Sequence, residues 1–183
     1  MFAVKILGNI GSEKVIVFLK NSLNDIDSHV RVNAANALGN IGSEIAVNPL
    51  INALNDEDSD VRRKTAEALG KIGVEKAVDS LIEVLNNDED DDVRLSVVNA
   101  LGQIGSQRGV DALINVLNDE DYDIINSAEN TLKNIAGSDK MGQMWRLLQN
   151  DIYDTKNIIL NIQNRCQFYN HDIFHFPQVE KKQ

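Results

Sequence analysis

Pairs of glycines three places apart are the first residues that could carry chemistry, beginning with the stretch LGNIG at 7–11. Closely spaced glycines let backbone N–H groups cradle a phosphate, or clamp a nucleic-acid backbone in a G-x-x-G loop. A phosphate loop, however, follows a strand, occurs once and ends in Gly-Lys-Ser/Thr. The lysine after the first pair, Lys14, has Ile45, Lys76 and Arg108 as its equivalents in later copies, so no phosphate-binding lysine is fixed there. The glycines are therefore interpreted as architectural.

Alternating aspartates form a second chemical pattern, because such runs open the calcium loops of proteins. A calcium loop also needs a glycine at position six and a bidentate glutamate at position twelve. In the run that begins at Asp56, position six is Val61, and the two later runs place asparagine at position twelve. The motif is incomplete, so the carboxylates are interpreted as partners of helix N-termini. The runs are Asp56, Asp58, Asp60; Asp88, Asp90, Asp92; and Asp119, Asp121, Asp123.

The single cysteine, Cys166, lies near His171 and His175 at a spacing that could bind zinc. A structural zinc site needs four ligands, and neither a fourth ligand nor a second cysteine is present. Aromatic side chains surround these residues, so an aromatic cap or a partner-docking segment is the preferred interpretation. The sequence has no G-x-S-x-G motif for a nucleophilic serine. We predict no catalytic residue, no metal and no cofactor.

The glycine-containing stretch recurs along the chain, which reveals internal repeats. Successive copies are 31, 31, 32 and 31 residues apart, and the extra residue falls in an acidic linker. A regular period of this length is typical of stacked repeat arrays. The copies are LGNIG at 7–11, LGNIG at 38–42, LGKIG at 69–73, LGQIG at 101–105 and a decayed LKNIA at 132–136.

Each repeat predicts two helices. In the third repeat, Val61 and Leu69 lie on one face of a helix with 3.6 residues per turn. Asp58 precedes that face as a helix N-cap, and Gly73 follows it as a left-handed C-cap. A second apolar stripe follows at 77–85 and predicts a second helix. No strand pattern is present, so the sequence predicts an all-α chain.

A unit of the form D-x-D-V-R-x-x-A-x-x-A-L-G-x-I-G, followed by a short helix with L-I-x-x-L, resembles the HEAT repeat. The variety that it resembles most is named after phycobilisome bilin lyases, and the resemblance covers residues 3–137. It implies a right-handed α-solenoid of about five helix pairs, with the second helices lining the concave side. Such repeats occur in enzymes and in passive scaffolds. A bilin lyase acting on phycobiliproteins is therefore the alternative to a binding scaffold.

The repeated glycines and arginines are interpreted as structural. The first glycine of each LG-x-IG stretch lets two helix backbones approach closely, and the second ends the helix. The resemblance implies that the arginine after each valine pairs with Asp27, Asp58, Asp90 or their neighbours. In the fifth unit Ile125 replaces the arginine and Lys133 the glycine, as expected of a terminal unit. The structural residues are Gly8, Gly39, Gly42, Gly70, Gly73, Gly102, Gly105, Arg31, Arg62 and Arg94.

The sequence divides into a repeat array and a terminal segment. We expect the array at 1–150 with an incomplete first repeat, a capping helix and aromatic segment at 151–176, and a disordered tail at 177–183. The stretch at 162–174 resembles the tails of cyanobacterial proteins that carry a NACHT-type nucleotide switch before HEAT repeats. This resemblance implies that the chain is the sensor end of a larger switch protein.

Polar side chains recur along the second helices and predict a partner-binding surface. At the repeat period they follow one another in steps of roughly 10 Å, the usual distance between packed helices. Such a row could hydrogen-bond an extended peptide or a basic helix, and the alternative is an ordinary solvated face. Capping is a competing explanation for the amides at the helix ends, Asn24, Asn55, Asn86, Asn118 and Gln149. The candidate partner-binding residues are Asn21, Asn48, Asn52, Asp79, Glu83, Asp111, Asn115, Trp145 and Arg146.

The charge of the chain limits the class of partner. The 183 residues include 28 acidic and 18 basic side chains, a net charge of −10, and the basic residues are not gathered in one stretch. Such a chain repels a polyanion, so nucleic acid is not an expected partner. No apolar run approaches the ~18 residues of a membrane span, and the cytoplasm is the expected location. We predict a non-catalytic scaffold or sensor module that binds a protein or peptide of basic character on its concave face.

Overall fold

The computed structural model describes residues 13–119 and 121–136, and every regular element in this part of the chain is helical. The predicted all-α fold is therefore confirmed. The α-helices are α1 Glu13–Ser22, α2 Ser28–Ile41, α3 Val47–Ala53, α4 Ser59–Ile72, α5 Val78–Asn87, α6 Asp91–Ile104, α7 Gln107–Asn115 and α8 Tyr122–Ala136. Short 3-10 turns span Glu44–Ala46, Glu75–Ala77 and Val116–Asn118. The first helices of the repeats are α2, α4, α6 and α8, and the second helices are α1, α3, α5 and α7.

Local capping interactions define the ends of the first helices. The side chain of Asp58 accepts a hydrogen bond from the backbone N–H of Val61 in α4, and that of Asp90 accepts one from Val93 in α6. These bonds satisfy donors that have no partner inside the helix. At the other end, α2, α4 and α6 each stop at a glycine with positive φ, where a side chain would be strained. The glycines are Gly42, Gly73 and Gly105, with φ of 70°, 75° and 64°.

The first helices pack side by side in one row, and glycine sets their separation. A methyl group on Gly39 of α2 would lie 2.7 Å from the Cα of Ala68 in α4. A methyl group on Gly70 of α4 would lie 2.8 Å from the Cα of Ala100 in α6. Side chains do not pack this closely against a backbone, so the short separation depends on the missing Cβ atoms.

The second helices form the other row, and they are spaced more widely. The contact between α5 and α7 is small, whereas α4 and α6 contact each other extensively. When the helices of one row are closer together than those of the other row, the stack curves toward the more closely spaced row. This spacing corrects the expectation that the second helices line the concave side. Because glycine and alanine bring the first helices together, the second helices lie on the wider side of residues 28–119.

The core lies between the two rows. Leu69 and Leu101 of the first helices are fully buried there, together with Leu81 and Leu113 of the second helices. Burying one such side chain stabilises the fold by about 1.5–3 kcal/mol. Each repeat adds a layer of this kind, so the hydrophobic core is continuous from unit to unit.

Thr65 of α4 occupies a core position where the other repeats have Ala34, Val97 or Ala128. Its side chain is fully buried, and within the described residues its hydroxyl has no hydrogen-bond partner. A buried hydroxyl without a partner costs about 1–3 kcal/mol. We expect Thr65→Val, which keeps the shape, to raise the free energy of unfolding by about 1 kcal/mol in urea titrations. Thr65→Ser keeps the hydroxyl and should lower the free energy of unfolding. A valine variant no more stable than the native chain would contradict the assignment of a buried hydroxyl without a partner.

Candidate functional site

The predicted surface of the second helices is exposed throughout the described part of the chain. Its members lie on α1, α3, α5 and α7 in equivalent positions of successive units. The exposed residues are Asn21, Asn48, Asn52, Asp79, Glu83, Asp111 and Asn115. Gly8, Trp145, Arg146, Cys166, His171, His175 and the stretch at 162–174 lie outside the described residues. Whether these surfaces bind a partner remains a prediction.

A cleft of about 420 Å³ lies between α1 and α3, near the carboxyl ends of both helices. It forms where the wider spacing of the second helices leaves room between neighbouring units. Two equivalent pairs of exposed asparagines line it, Asn21 with Asn24 and Asn52 with Asn55. Each amide offers two N–H donors and one carbonyl acceptor. The remaining lining residues are Lys20, Leu23, Pro49, Ala53 and Asp56.

Farther along the second helices, two of the predicted carboxylates already have partners. Arg108 of α7 lies with Nη1 2.7 Å from Oδ1 of Asp79 in α5, and both side chains are well exposed. Gln107 donates from Nε2 to Oδ1 of Asp111 over 2.9 Å. A ligand at this end of the surface must compete with these contacts. Sequence reasoning missed this role of Arg108, although its equivalents Lys14 and Lys76 are also basic and Ile45 alone departs from that pattern.

Arginine side chains join successive linkers, the segments between one repeat and the next. Arg62 donates from Nε and Nη2 to the two carboxylate oxygens of Asp88, over 2.7 and 2.9 Å. Its Nη1 also donates to the backbone carbonyl oxygens of Asp56 and Glu57 in its own linker. Paired bonds of this kind are short, strong and directional. The equivalent pairs are Arg31 with Asp56 and Arg94 with Asp119, and the three together are called the arginine–aspartate ladder.

In each ladder pair, the acceptor is the aspartate two places before a capping aspartate. The family resemblance implies the capping aspartates or their neighbours as partners, and the acceptors are such neighbours. The capping aspartates have a different partner. The side chain of Ser28 interacts with the carboxyl of Asp58, and that of Ser59 with the carboxyl of Asp90. Together with backbone N–H donors, these bonds hold the pKa of both carboxyls below its ordinary value, although burial opposes the shift. The linker carboxylates are thus occupied by intramolecular contacts.

The lowered pKa values predict acid sensitivity. Stability contributed by Asp58 is present above its unfolded pKa, near 3.9, and is lost as the pH falls through the lower folded value. We expect Ser28→Ala to reduce the free energy of unfolding by about 1 kcal/mol at neutral pH and by much less near pH 2. Urea unfolding at both pH values measures the difference. Ser96→Ala, at a half-buried position of α6, is the control. Equal losses for Ser28→Ala at both pH values would contradict the prediction.

Two further findings concern metal ions and membranes, and both are limited to the described residues. In residues 13–119 and 121–136, no group of three or more His, Cys, Asp or Glu side chains is arranged to hold a metal ion. None of the helices in these residues has the length and apolar character needed to cross a bilayer.

Comparison with known proteins agrees with the geometry. The sequence matches the HEAT-repeat family over residues 1–51 and 47–133. No curated protein shows significant similarity in sequence. Among solved structures, the chain resembles the complex of CpcE and CpcF of phycocyanin lyase from Nostoc sp. PCC7120, with 23% identity, a TM-score of 0.64, and coverage of 78% of this chain and 61% of that chain.

Two further structures show how varied the proteins with this architecture are. Human deoxyhypusine hydroxylase is 27% identical, with a TM-score of 0.63 and coverage of 69% of this chain and 45% of that chain. A designed armadillo repeat protein in complex with a (KR)4 peptide is 20% identical, with a TM-score of 0.55 and coverage of 92% and 90%. The chain thus spans less than two thirds of the lyase and hydroxylase chains. The recurring LG-x-IG stretch, the paired helices and the sequence match lead to one conclusion: the chain belongs to the HEAT-repeat family.

Proposed function

We propose that this chain is a non-catalytic module that binds an extended segment of a partner protein on its second helices. The observation that supports this most directly is the cleft between α1 and α3, which two equivalent pairs of asparagines line. An extended peptide presents one N–H and one carbonyl at almost every residue. Primary amides supply both complementary groups. Polar side chains that repeat from unit to unit suit a ligand whose own groups repeat.

The charge of the chain favours a basic segment as the ligand. Its net charge is −10, and Glu83 and Asp111 are exposed on the second helices beyond the cleft. Charge complementarity of this kind mainly raises the rate of association and disfavours acidic competitors, and it raises the affinity less. Each unit would contribute a weak contact, and several units acting together would provide the affinity.

Pull-down from native lysate tests the surface with two matched sets of variants. The first carries Asn21→Ala, Asn52→Ala and Asn55→Ala in the cleft. The second removes the same number of exposed amides from the first helices, through Asn99→Ala, Asn130→Ala and Asn134→Ala. We expect the native chain and the second variant to retain one partner that the first variant loses. If only the second variant loses the partner, the binding surface lies on the first helices.

The wider setting that we propose is a cytoplasmic sensor module within a NACHT-type switch protein. This rests on the resemblance of the stretch at 162–174 to the tails of such proteins. A phosphate-binding loop encoded upstream in the same reading frame would support it. An upstream sequence without such a loop would remove this part of the proposal and leave the binding surface unaffected.

The fold does not by itself separate a scaffold from an enzyme, because the similar structures include a lyase, a hydroxylase and a designed peptide binder. A bilin lyase needs basic or aromatic side chains that converge on a tetrapyrrole. The cleft between α1 and α3 has Lys20 as its one cation and no aromatic lining residue. We therefore expect no shift in absorbance when the chain is mixed with a bilin, and a clear shift would favour the lyase alternative.

A further inference from the structure

One position in each second helix faces a position at or just before the start of the next second helix, and the residues at these two positions change along the array. Between α5 and α7 they are Asp79 and Arg108, whose Oδ1 and Nη1 atoms lie 2.7 Å apart. Between α1 and α3 the equivalent positions hold Val17 and Ile45. The short turn that carries Ile45 contacts α1. Two apolar residues, called the apolar pair, therefore replace an ion pair at this junction.

The apolar pair is largely open to water. Val17 and Ile45 are each 57% exposed, and Phe18, the next residue of α1, is 47% exposed. Covering apolar surface is favourable by about 25 cal/mol per Å². Exposed apolar residues that lie together, rather than singly, are typical of interaction surfaces. The apolar pair is therefore a candidate anchor for a ligand.

The apolar pair continues the cleft between α1 and α3. Val17 and Asn21 are four residues apart in α1, so they lie one turn apart on the same face of the helix. Asn21 lines the cleft, and Asn24 lines it just beyond the end of α1. One turn rises about 5.4 Å, which about two residues of an extended chain span. A segment that lies along the cleft would thus meet the apolar pair and then the asparagines.

An exposed carboxylate lies at the other end of the cleft. Asp56 lines the cleft there, and the side chain of its neighbour Glu57 is 91% exposed. Oε1 of Glu57 is 3.7 Å from Nη2 of Arg31. That guanidinium is already hydrogen-bonded to both carboxylate oxygens of Asp56, over 2.8 Å in each case. The carboxylate of Glu57 can therefore pair with a cation of a ligand.

The junction between α5 and α7 offers a ligand less. There Asp79 is paired with Arg108, and Asp111 accepts a hydrogen bond from Gln107. A ligand at that junction must displace these contacts, whereas a ligand on the apolar pair covers surface that is otherwise hydrated. The anchor of the ligand therefore belongs at the junction between α1 and α3.

Building on the proposed function, we propose that the partner segment carries a large apolar side chain that covers the apolar pair and a lysine or arginine that reaches Glu57. The two side chains are about five residues apart, because the segment must pass both pairs of asparagines between them. The apolar side chain provides most of the affinity, and the cation fixes which way the segment lies in the cleft. This arrangement selects among basic segments, which the net charge of the chain does not.

Selection from a library of random phage-displayed peptides, with the full chain as bait, tests the proposal. We expect the enriched peptides to combine a large apolar residue with a lysine or arginine about five residues away. Val17→Asp with Ile45→Arg copies the ion pair of Asp79 and Arg108 into this junction and keeps the net charge at −10. This variant should bind an enriched peptide about tenfold more weakly. The matched control is Asn99→Asp with Asn130→Arg, which adds the same two charges to the first helices and should leave binding unchanged. Both variants should keep the native circular dichroism spectrum.

A second pair of variants tests the cation. Glu57→Gln should weaken binding of the enriched peptide about threefold at low salt, and the effect should vanish when the basic residue of the peptide is replaced by glutamine. Glu89→Gln, at the exposed equivalent position of the next linker, is the control and should have no effect.

The outcomes separate this inference from the proposed function. Enriched peptides without a large apolar residue, or equal binding to the native chain and to the variant with Val17→Asp and Ile45→Arg, would overturn the inference and leave the proposed function standing. A peptide that binds the variant with Asn21→Ala, Asn52→Ala and Asn55→Ala as tightly as the native chain would count against the proposed function itself. A selection that enriches no peptide would count against both.

Discussion

Replacing Gly39 by alanine is expected to lower the free energy of unfolding by about 2 kcal/mol, although alanine is the better helix former by about 1 kcal/mol. The added methyl group would lie 2.7 Å from both the Cα and the Cβ of Ala68. That Cα is part of the backbone of α4 and cannot rotate away, so α2 and α4 must move apart. Urea unfolding followed by circular dichroism measures the loss.

Two controls separate this close contact from other effects of glycine. At Gly42, φ is 70° and a methyl group would meet no atom within 4 Å, so Gly42→Ala should cost only the left-handed strain of about 1 kcal/mol. At Gly102 the methyl group would collide with Cγ2 of Thr131, a side-chain atom. We therefore expect Thr131→Ser to restore the stability that Gly102→Ala loses. A Gly39→Ala variant as stable as the native chain would contradict the proposed role of the close contact.

Replacing Arg62 by alanine is expected to lower the free energy of unfolding by about 3 kcal/mol. The side chain of Asp88 is only 5% exposed, and it receives two hydrogen bonds from Arg62. Removing the guanidinium leaves a buried carboxylate without its cation, which is costlier than losing an exposed pair. Urea titration at neutral pH measures the effect.

The matched control for Arg62 is Arg108. Its ion pair with Asp79 has side chains that are 66% and 63% exposed, so Arg108→Ala should change the free energy of unfolding by no more than about 0.5 kcal/mol. A double-mutant cycle adds a second check, because Asp88→Asn should cost much less in the Arg62→Ala background than in the native chain. Similar small losses at Arg62 and Arg108 would show that the ladder contributes little to stability.

These two predictions concern different parts of the same frame. The contact of Gly39 with Ala68 sets the separation of the first helices, whereas the pair of Arg62 with Asp88 holds successive linkers together. Both act at the junction between units, where a repeat array obtains much of its stability.

The helical repeat could be predicted from the sequence because its signals are local. A capping aspartate such as Asp58 and a C-terminal glycine such as Gly73 act within one turn of the helix that they bound. The apolar spacing between them needs no knowledge of distant residues. Recurrence of the whole pattern then indicates stacking, because one unit cannot bury its apolar face alone.

The partners of the arginines could be predicted only approximately. One linker has an aspartate at every second position, at Asp56, Asp58 and Asp60. The sequence does not show which of the three faces the preceding unit. Stacking of the linkers decides it, and Asp56 receives Arg31 while Asp58 receives Ser28. The candidate residues Asn21 and Asn52 were recognisable from their spacing, and their part in binding stays a prediction.

By itself the sequence determined the helices, their ends, the period of the array and its acidic character, because these depend on neighbouring residues or on composition. Only the tertiary structure decided which row of helices is the narrower one, where the cleft opens and which carboxylates are covered. Those properties depend on distances between helices some 30 residues apart in the chain. The repeat pattern shows the recurring glycine at Gly39, whereas the residue that it meets, Ala68, is known only from the packing of α2 against α4.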